Sequence, residues 1–473
     1  MTTKKDLVEA HAFSRRRLVT AFLSGAPGGR EVEPTRPGRT ILGGVALAVL
    51  VVAGGAVAHE LVDKPESGWD QQGLVVTDRG SRYVVTRDKQ PLRPVVNLTS
   101  AQLILGLDPE ATVVPQETVD KETPGGTIGI LGAPEALPER SDFITTGWTA
   151  CTADGAGIAV GVARTPGVRT AAGTGMVVST GHDEWLIAES TSPDGTTTQA
   201  YRYRLPHKAN ALVQLIFAPT VPTVEHVSQD WVNLFPEGTS LGADGFSYAG
   251  YGGSTDLVGE PGVPGDTRVG DIATYDGDPY LVLRDGWVRL TEFQAAVYEG
   301  TPHHGVRPHQ VTFDELPNKE SATRLPTTHW PDRRPAPGAA VACAQLHAGA
   351  DEEATVRLAT AANGSTAWPE KAPRAGHAPE VTVSPGKGSF FYVGSGTTTK
   401  GLPAYIVDSR GTANLIEGAS TLATLGLDDY AAPVVPDTWV KLFGKGTALS
   451  TELALCPPGT KDEKGGSCAP AAG

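Results

Sequence analysis

The sequence predicts a β-rich α+β protein with a single transmembrane helix and a duplicated, pseudo-twofold ectodomain. Three observations lead to this prediction. One long apolar segment without charge lies near the N-terminus. Four short segments further along combine strand-like patterns with apolar residues at helical spacing. A tryptophan-containing motif occurs twice, and each copy follows two of those four segments.

The apolar segment runs from Ile41 to Ala58 and contains no charged residue. As a helix it would reach about 27 Å, close to the hydrocarbon thickness of a bilayer. A cleaved signal peptide is the alternative, but its apolar region would be shorter and nearer the start of the chain. Basic residues precede the segment and acidic residues follow it, which places the N-terminus in the cytoplasm. We therefore predict a single-pass protein of the cytoplasmic (inner) membrane, with a cytoplasmic arm (1–39), a span (40–58) and an extracytoplasmic ectodomain (59–473).

The cytoplasmic arm carries a basic cluster, Arg15, Arg16 and Arg17, in a segment whose apolar residues recur near helical spacing. An amphipathic helix of this kind would lie on anionic lipid or bind the cytoplasmic domain of a partner. A merely solvated arm is the alternative. The three arginines are the candidate cytoplasmic interaction site.

All four cysteines, Cys151, Cys343, Cys456 and Cys468, lie in the predicted ectodomain, where oxidising conditions preserve disulfides. No pair has the close spacing of a zinc site, so we expect disulfides rather than metal. Of the three possible connectivities, the favoured one pairs Cys456 with Cys468 across a Pro/Gly/Lys-rich loop. This leaves Cys151 for Cys343, a long bridge that would join the two halves of the ectodomain.

The composition limits the possible partners. The net charge of the chain is −14, and the ectodomain is more acidic still because the arm is basic. This charge disfavours nucleic acid as a partner. Glycine (57) and proline (37) are abundant, which indicates short elements joined by long loops.

The tryptophan motif occupies residues 230–241 and 438–449. The residues shared by the two copies are Trp231, Val232, Leu234, Phe235, Gly238, Thr239 and Leu241, which recur as Trp439, Val440, Leu442, Phe443, Gly446, Thr447 and Leu449. Each copy predicts a short helical turn stopped by its glycine, with Trp, Leu and Phe on one side. Core packing is the favoured role of these aromatic residues, and a ligand platform is the alternative.

Four segments begin with an apolar pattern rich in β-branched residues, followed by a turn, a second short strand and a short helical pattern. We predict four small strand–strand–helix repeat modules. They cover about residues 73–106, 173–217, 268–300 and 388–427. Units of this size cannot bury a core alone, so they should pack against neighbours or a central domain.

The segment from Trp69 to Gly106, and above all PVVNLTSAQL within it, resembles EccB, the membrane component of actinobacterial type VII (ESX) secretion systems. The segment VSQDWVNLFPEG and the widely spaced Cys151 and Cys343 also match, whereas loops 242–267 and 324–338 match poorly. The resemblance runs through nearly the whole chain. It implies an elongated ectodomain with a central β core and four repeat modules. It also implies self-association in a secretion pore built with EccC-, EccD- and EccE-like subunits.

Catalytic signals are weak. The sequence has no phosphate-binding G-x-x-x-x-G-K-[ST] motif and no H-E-x-x-H motif. His303, His304 and His309 form a proline-flanked cluster, for which free surface histidines are favoured over a metal site. We therefore predict a structural subunit that supports export of small helical substrates, with no catalytic residue, cofactor or metal. The alternatives are a membrane-anchored, exported cell-wall hydrolase or nucleotidase, and a sensor, for which the arm is short.

Overall fold

The computed structural model describes residues 68–459, apart from 88–89, 193–194, 243–245, 247, 303–307, 326–328 and 362–364. The predicted arm and span lie outside these residues. Within the described part of the chain, no helix has the length and apolarity needed to cross a membrane. The described strands form one central sheet of six strands and four outer sheets.

The elements are short strands and helices that alternate along the chain. The strands are β1 Gly73–Thr77, β2 Arg82–Val85, β3 Arg93–Pro94, β4 Ala111–Val114, β5 Trp148–Thr152, β6 Ala159–Val162, β7 Val168–Thr170, β8 Thr174–Ser179, β9 Glu184–Thr191, β10 Thr198–Arg204, β11 Val224–His226, β12 Ile272–Tyr275, β13 Asp278–Val282, β14 Trp287–Arg289, β15 Gln310–Thr312, β16 Ala336–Pro337, β17 Ala342–His347, β18 Thr355–Ala361, β19 Glu380–Val383, β20 Ser389–Val393, β21 Ala404–Val407, β22 Thr412–Ile416, β23 Val434–Val435 and β24 Gly444–Lys445. The helices are α1 Leu98–Leu105, α2 Gln116–Val119, α3 Asn210–Phe217, α4 Gln229–Val232, α5 Glu292–Gly300, α6 Ala419–Thr424, α7 Asp437–Val440 and α8 Thr451–Ala454, with a 3-10 turn at Arg140–Asp142.

The four outer sheets share one layout. In the first, β1, β2 and β3 form an antiparallel meander, α1 follows, and β4 returns to pair parallel with β1. The second sheet (β8–β11, with α3), the third (β12–β15, with α5) and the fourth (β20–β23, with α6) repeat this order.

Each outer sheet has more strands than the sequence pattern predicts. The pattern predicts two strands before the helix, and the structure has three before it and one after it. The additional returning strands β4, β11, β15 and β23 are two to four residues long. A strand this short shows too few positions for apolar alternation to be recognised.

The outer sheets associate in two pairs through their helices. Helices α3 and α5 pack together, and the second and third sheets share an apolar cluster that contains Leu212 and Val297. Helices α1, α6 and α8 pack together, and the first and fourth sheets share a cluster that contains Leu103 and Phe390. The helix of each outer sheet therefore packs against the paired sheet as well as against its own.

The second and fourth sheets are buried on both faces. Met176 and Val178 of β8 point into the central apolar cluster, whereas Val177 between them points into the cluster shared with the third sheet. Phe391 and Phe390 of β20 divide in the same way. Successive side chains of a strand point to opposite faces, so each of these sheets contributes to two cores.

Candidate functional site

The disulfide between Cys151 and Cys343 joins the two middle strands of the central sheet. The residues lie directly opposite each other in the antiparallel pair β5–β17, with Cα atoms 4.0 Å apart, and both are fully buried. The predicted long bridge is confirmed, and it connects the two halves of the chain. Cys456 is disulfide-bonded, and its predicted partner Cys468 lies outside the described residues, so that pairing stays a prediction.

The tryptophan motifs form the helical turns α4 and α7, as the sequence predicts. Trp231 and Trp439 are fully buried in the central cluster, which confirms core packing as their role. The predicted helix stop at glycine is wrong, because α4 ends at Val232 and the chain reaches Gly238 only after a further segment. A Cβ atom on Gly238 would lie 2.3 Å from the Tyr203 ring, so the glycine permits a close crossing over β10.

A cleft of about 1310 Å³ is lined by residues from both halves of the molecule. Its walls include strand β10 of the second sheet, residues 233–236 after α4, the hairpin between β17 and β18, residues 394–396 after β20, and the segment that leads from β23 into α7. Its lining includes Thr198, Tyr201, Arg202, Glu352, Glu353 and Asp437.

Acidic side chains dominate the rim of this cleft. Glu352 and Glu353 are exposed on the hairpin, and neither forms an ion pair within the described residues. Arg202 pairs with Glu237 at 3.2 Å and donates to Asn233 at 3.0 Å, so its charge is already offset. Asp437 pairs at 2.7 Å with Lys441, which directly follows α7. The rim therefore carries an excess of negative charge.

Two titratable groups in the cleft wall are shifted towards their neutral forms. Burial raises the pKa of Tyr201, and the nearby Glu353 charge adds to the effect. Burial also lowers the pKa of His347, and the Arg357 guanidinium contributes in the same direction. Arg357 itself is held by a bidentate pair with Glu189 at 2.6 and 3.1 Å, which ties the central sheet to the second sheet.

In the first half of the molecule, the hairpin equivalent to β17–β18 is hydrogen-bonded to the equivalent returning strand. There, the hairpin between β5 and β6 contacts β11: the His226 N–H donates to Asp154 Oδ1 at 2.7 Å, and the Gly155 N–H donates to the His226 carbonyl at 2.9 Å. The His226 ring Nδ1 lies 3.1 Å from the same Asp154 oxygen. These hydrogen bonds hold the pKa of Asp154 below its usual value.

The chemistry available at the described residues is limited. No group of three or more His, Cys, Asp or Glu side chains is arranged there to hold a metal ion. His309 lies with its ring Nδ1 3.6 Å from Asp271 Oδ2, while His303 and His304 lie outside the described residues. The sequence around Ser240 fits G-x-S-x-G, but it runs extended along β10, with the Leu241 N–H donating to the Arg204 carbonyl at 3.1 Å. A nucleophile elbow requires a sharp strand-to-helix turn, which this segment lacks.

The structure leaves the other predicted site residues undescribed. Arg15, Arg16, Arg17, Ile41 and Ala58 all lie outside the described part. Sequence reasoning also missed the cleft, since its lining residues are spread from Thr196 to Thr438. The one available signal was the acidic run at residues 351–353, which has no basic neighbour in sequence.

Comparison with known proteins places the chain among secretion components. The family model described as "Type VII secretion system ESX-1, transport TM domain B" matches residues 1–460. The "ESX-3 secretion system ATPase EccB3" of Mycobacterium tuberculosis is 27% identical over 90% of this chain and 84% of its own length. The "ESX-2 secretion system ATPase EccB2" of the same organism is 26% identical over 96% and 94%.

Solved structures agree on the fold. A chain of the intact ESX-5 inner membrane complex superimposes with a TM-score of 0.61 at 22% identity, covering 98% of this chain and 97% of that one. A chain of the EccB3 dimer from the ESX-3 core complex gives a TM-score of 0.61 at 24% identity, covering 81% and 100%. The strand-rich α+β architecture is therefore shared with both.

Proposed function

This chain belongs to the EccB family of type VII secretion systems, and we propose that it acts as a structural subunit of a secretion membrane complex that exports small helical substrates. One observation carries the proposal at the level of residues. The repeated features serve packing: the second and fourth sheets and the two tryptophan motifs cover the central sheet, and the third and first sheets pack against the second and fourth. A buried disulfide joins the two middle strands of the central sheet. A duplicated ectodomain that is held together by a buried disulfide is typical of a structural subunit.

The domain organisation follows as part of this proposal. We take residues 1–39 as the cytoplasmic arm, 40–58 as the span and 59–473 as the ectodomain. The family description as a transport transmembrane domain supports a membrane location. The four outer sheets lie where the repeat modules are predicted, which supports treating them as copies of one unit.

The partners are proposed from the relatives. Similar chains occur in an ESX-5 inner membrane complex and in an EccB3 dimer of an ESX-3 core complex. We expect this chain to self-associate and to assemble with EccC-, EccD- and EccE-like subunits. Mild-detergent purification of the tagged full chain, followed by mass spectrometry, should recover those subunits, and recovery of the chain alone would contradict the assembly role.

The cytoplasmic arm is the proposed attachment point. Replacing Arg15, Arg16 and Arg17 by Glu inverts the charge offered to lipid or partner, so co-purification with the EccC-like ATPase and secretion should both fall. The matched control replaces the same residues by Lys, which keeps the charge. Unchanged co-purification and secretion in the Glu variant would show that the arm is a passive tail.

Several relatives are named ATPases, which makes nucleotide hydrolysis the second candidate. The cleft offers little support for it, because a triphosphate needs cationic partners and Arg202 is already paired with Glu237. We propose that the chain does not hydrolyse ATP by itself. Phosphate release by the full chain, freed of the EccC-like subunit, should stay at the level of the buffer, and sustained turnover would overturn this view.

A further inference from the structure

Strand β10 is paired along only part of its outer edge. The Arg202 N–H donates to the Pro236 carbonyl at 2.9 Å, and the Gly238 N–H donates to the Arg202 carbonyl at 2.9 Å. The backbone of Arg202 therefore points away from β9. The direction of the backbone N–H and carbonyl alternates from one residue to the next along an antiparallel strand, so those of Thr198, four residues before Arg202, also point away from β9.

This unpaired part of the edge borders the cleft. Thr198 is half-buried and lines the cleft, and within the described residues its backbone N–H and carbonyl have no hydrogen-bond partner. The segment Pro236–Leu241 covers β10 from Arg202 onward and stops short of Thr198. An unpaired strand edge is a template on which an extended peptide can add as a further strand.

The size and charge of the cleft narrow the choice of ligand. At about 1310 Å³ it exceeds the roughly 300–1,000 Å³ of small-molecule sites. The exposed Glu352 and Glu353 line it, and the Glu353 charge acts on Tyr201 of β10. Among the described lining residues Arg202 is the one arginine, and it is already paired with Glu237. Complementary charge therefore favours a basic ligand over an acidic one.

We propose that this cleft binds an extended, basic peptide segment of a partner protein, which adds to β10 at Thr198 and places its Lys or Arg side chains against Glu352 and Glu353. Alternate side chains of such a strand point to the same side, so basic residues at every second position fit best. The inference goes beyond the proposed assembly role. Its test reads peptide binding alone, so either idea can fail without the other.

The test measures fluorescence anisotropy of labelled peptides with the full chain in detergent. A peptide of alternating Lys and Thr should bind, whereas a peptide of alternating Glu and Thr should not. A peptide of alternating Lys and Pro should bind at least about tenfold more weakly than the Lys-Thr peptide, because proline lacks the N–H needed for strand pairing. The last peptide separates strand addition from simple charge attraction. Equal binding of the Lys-Thr and Glu-Thr peptides, or of the Lys-Thr and Lys-Pro peptides, would overturn the proposal.

Variants locate the binding. E352K together with E353K should weaken the Lys-Thr peptide about tenfold or more, and both residues are exposed, so folding is spared. T198P removes the outward N–H, which faces away from β9, and should also weaken binding. The matched control, D108K with E110K, makes the same charge change at exposed positions away from the cleft and should bind as the parent does. Equal weakening by the control, or full binding by both cleft variants, would overturn the proposal.

Discussion

The two halves of the molecule use the same elements but close them differently. In the first half, the hairpin after β5 is bonded to β11 through Asp154 and His226. In the second half, the hairpin after β17 and the segment after β23 line an open cleft, together with β10 and residues 233–236 of the first half. The comparison teaches that duplication preserved the packing of the strands and tryptophans, whereas the hairpins diverged into one closed seam and one open site.

The largest effect on stability should come from the disulfide that joins the two halves. Replacing Cys151 and Cys343 together by Ala should lower the free energy of unfolding by about 2–5 kcal/mol, since the bridge restricts the unfolded chain over a sequence separation of 192 residues. Chemical denaturation of the full chain in detergent provides the measurement. A loss below about 1 kcal/mol would show that the sheet pairing alone holds the halves together.

The next effect concerns the two motif glycines. Gly238→Ala and Gly446→Ala should each lower the free energy of unfolding by about 1–3 kcal/mol. The added Cβ would lie 2.3 Å from the Tyr203 ring in the first variant and 2.3 Å from Asn414 Oδ1 in the second. Gly446→Ala should cost more, since the Ala413 carbonyl lies 2.6 Å from that Cβ and backbone yields less easily than a side chain. Gly242→Ala, which meets open space, is the control. Equal stability of all three variants would contradict the close crossing.

The tryptophans should differ from each other by less. Trp231 Nε1 donates to the Ala150 carbonyl at 2.8 Å, whereas the buried Trp439 Nε1 has no partner among the described residues. Trp231→Phe should therefore lower the free energy of unfolding by about 1 kcal/mol more than Trp439→Phe does, because only the first substitution removes a hydrogen bond. Thermal unfolding of the two variants side by side measures the difference. A larger loss of stability for Trp439→Phe would contradict the idea that only Trp231 contributes a hydrogen bond.

The smallest effect should appear at the closed seam. Hydrogen bonds from His226 lower the pKa of Asp154 below its ordinary value of 3.8. The stabilisation is therefore fully present above that value and is lost as the pH falls through the lower pKa of the folded protein. Amide hydrogen exchange at Gly155 and His226 should quicken in Asp154→Asn at neutral pH. Asp351→Asn, on the hairpin of the open half, should leave those amides unchanged, and equal changes in both variants would contradict a local seam.

The predictions from sequence succeeded where the signal was local or repeated. The continuous apolar run of β9, whose Leu186 and Ile187 point into different clusters, marks that strand in the sequence itself. The spacing of the tryptophan motifs predicted two buried helical turns, and elimination among four cysteines predicted the Cys151–Cys343 bridge. The returning strands were missed, because strands of two to four residues carry no periodic pattern.

The sequence by itself determined the β-rich α+β class, the family and the burial of the two tryptophan motifs, since apolar periodicity and repeated motifs are properties of neighbouring positions. Only the tertiary structure decided which helices meet, why Gly238 has no room for a Cβ, and that the outward edge of β10 at Thr198 lines the same cleft as Glu353. Those features join residues far apart in the chain. Their energies depend on how separate strands and hairpins approach one another, and no local pattern encodes that approach.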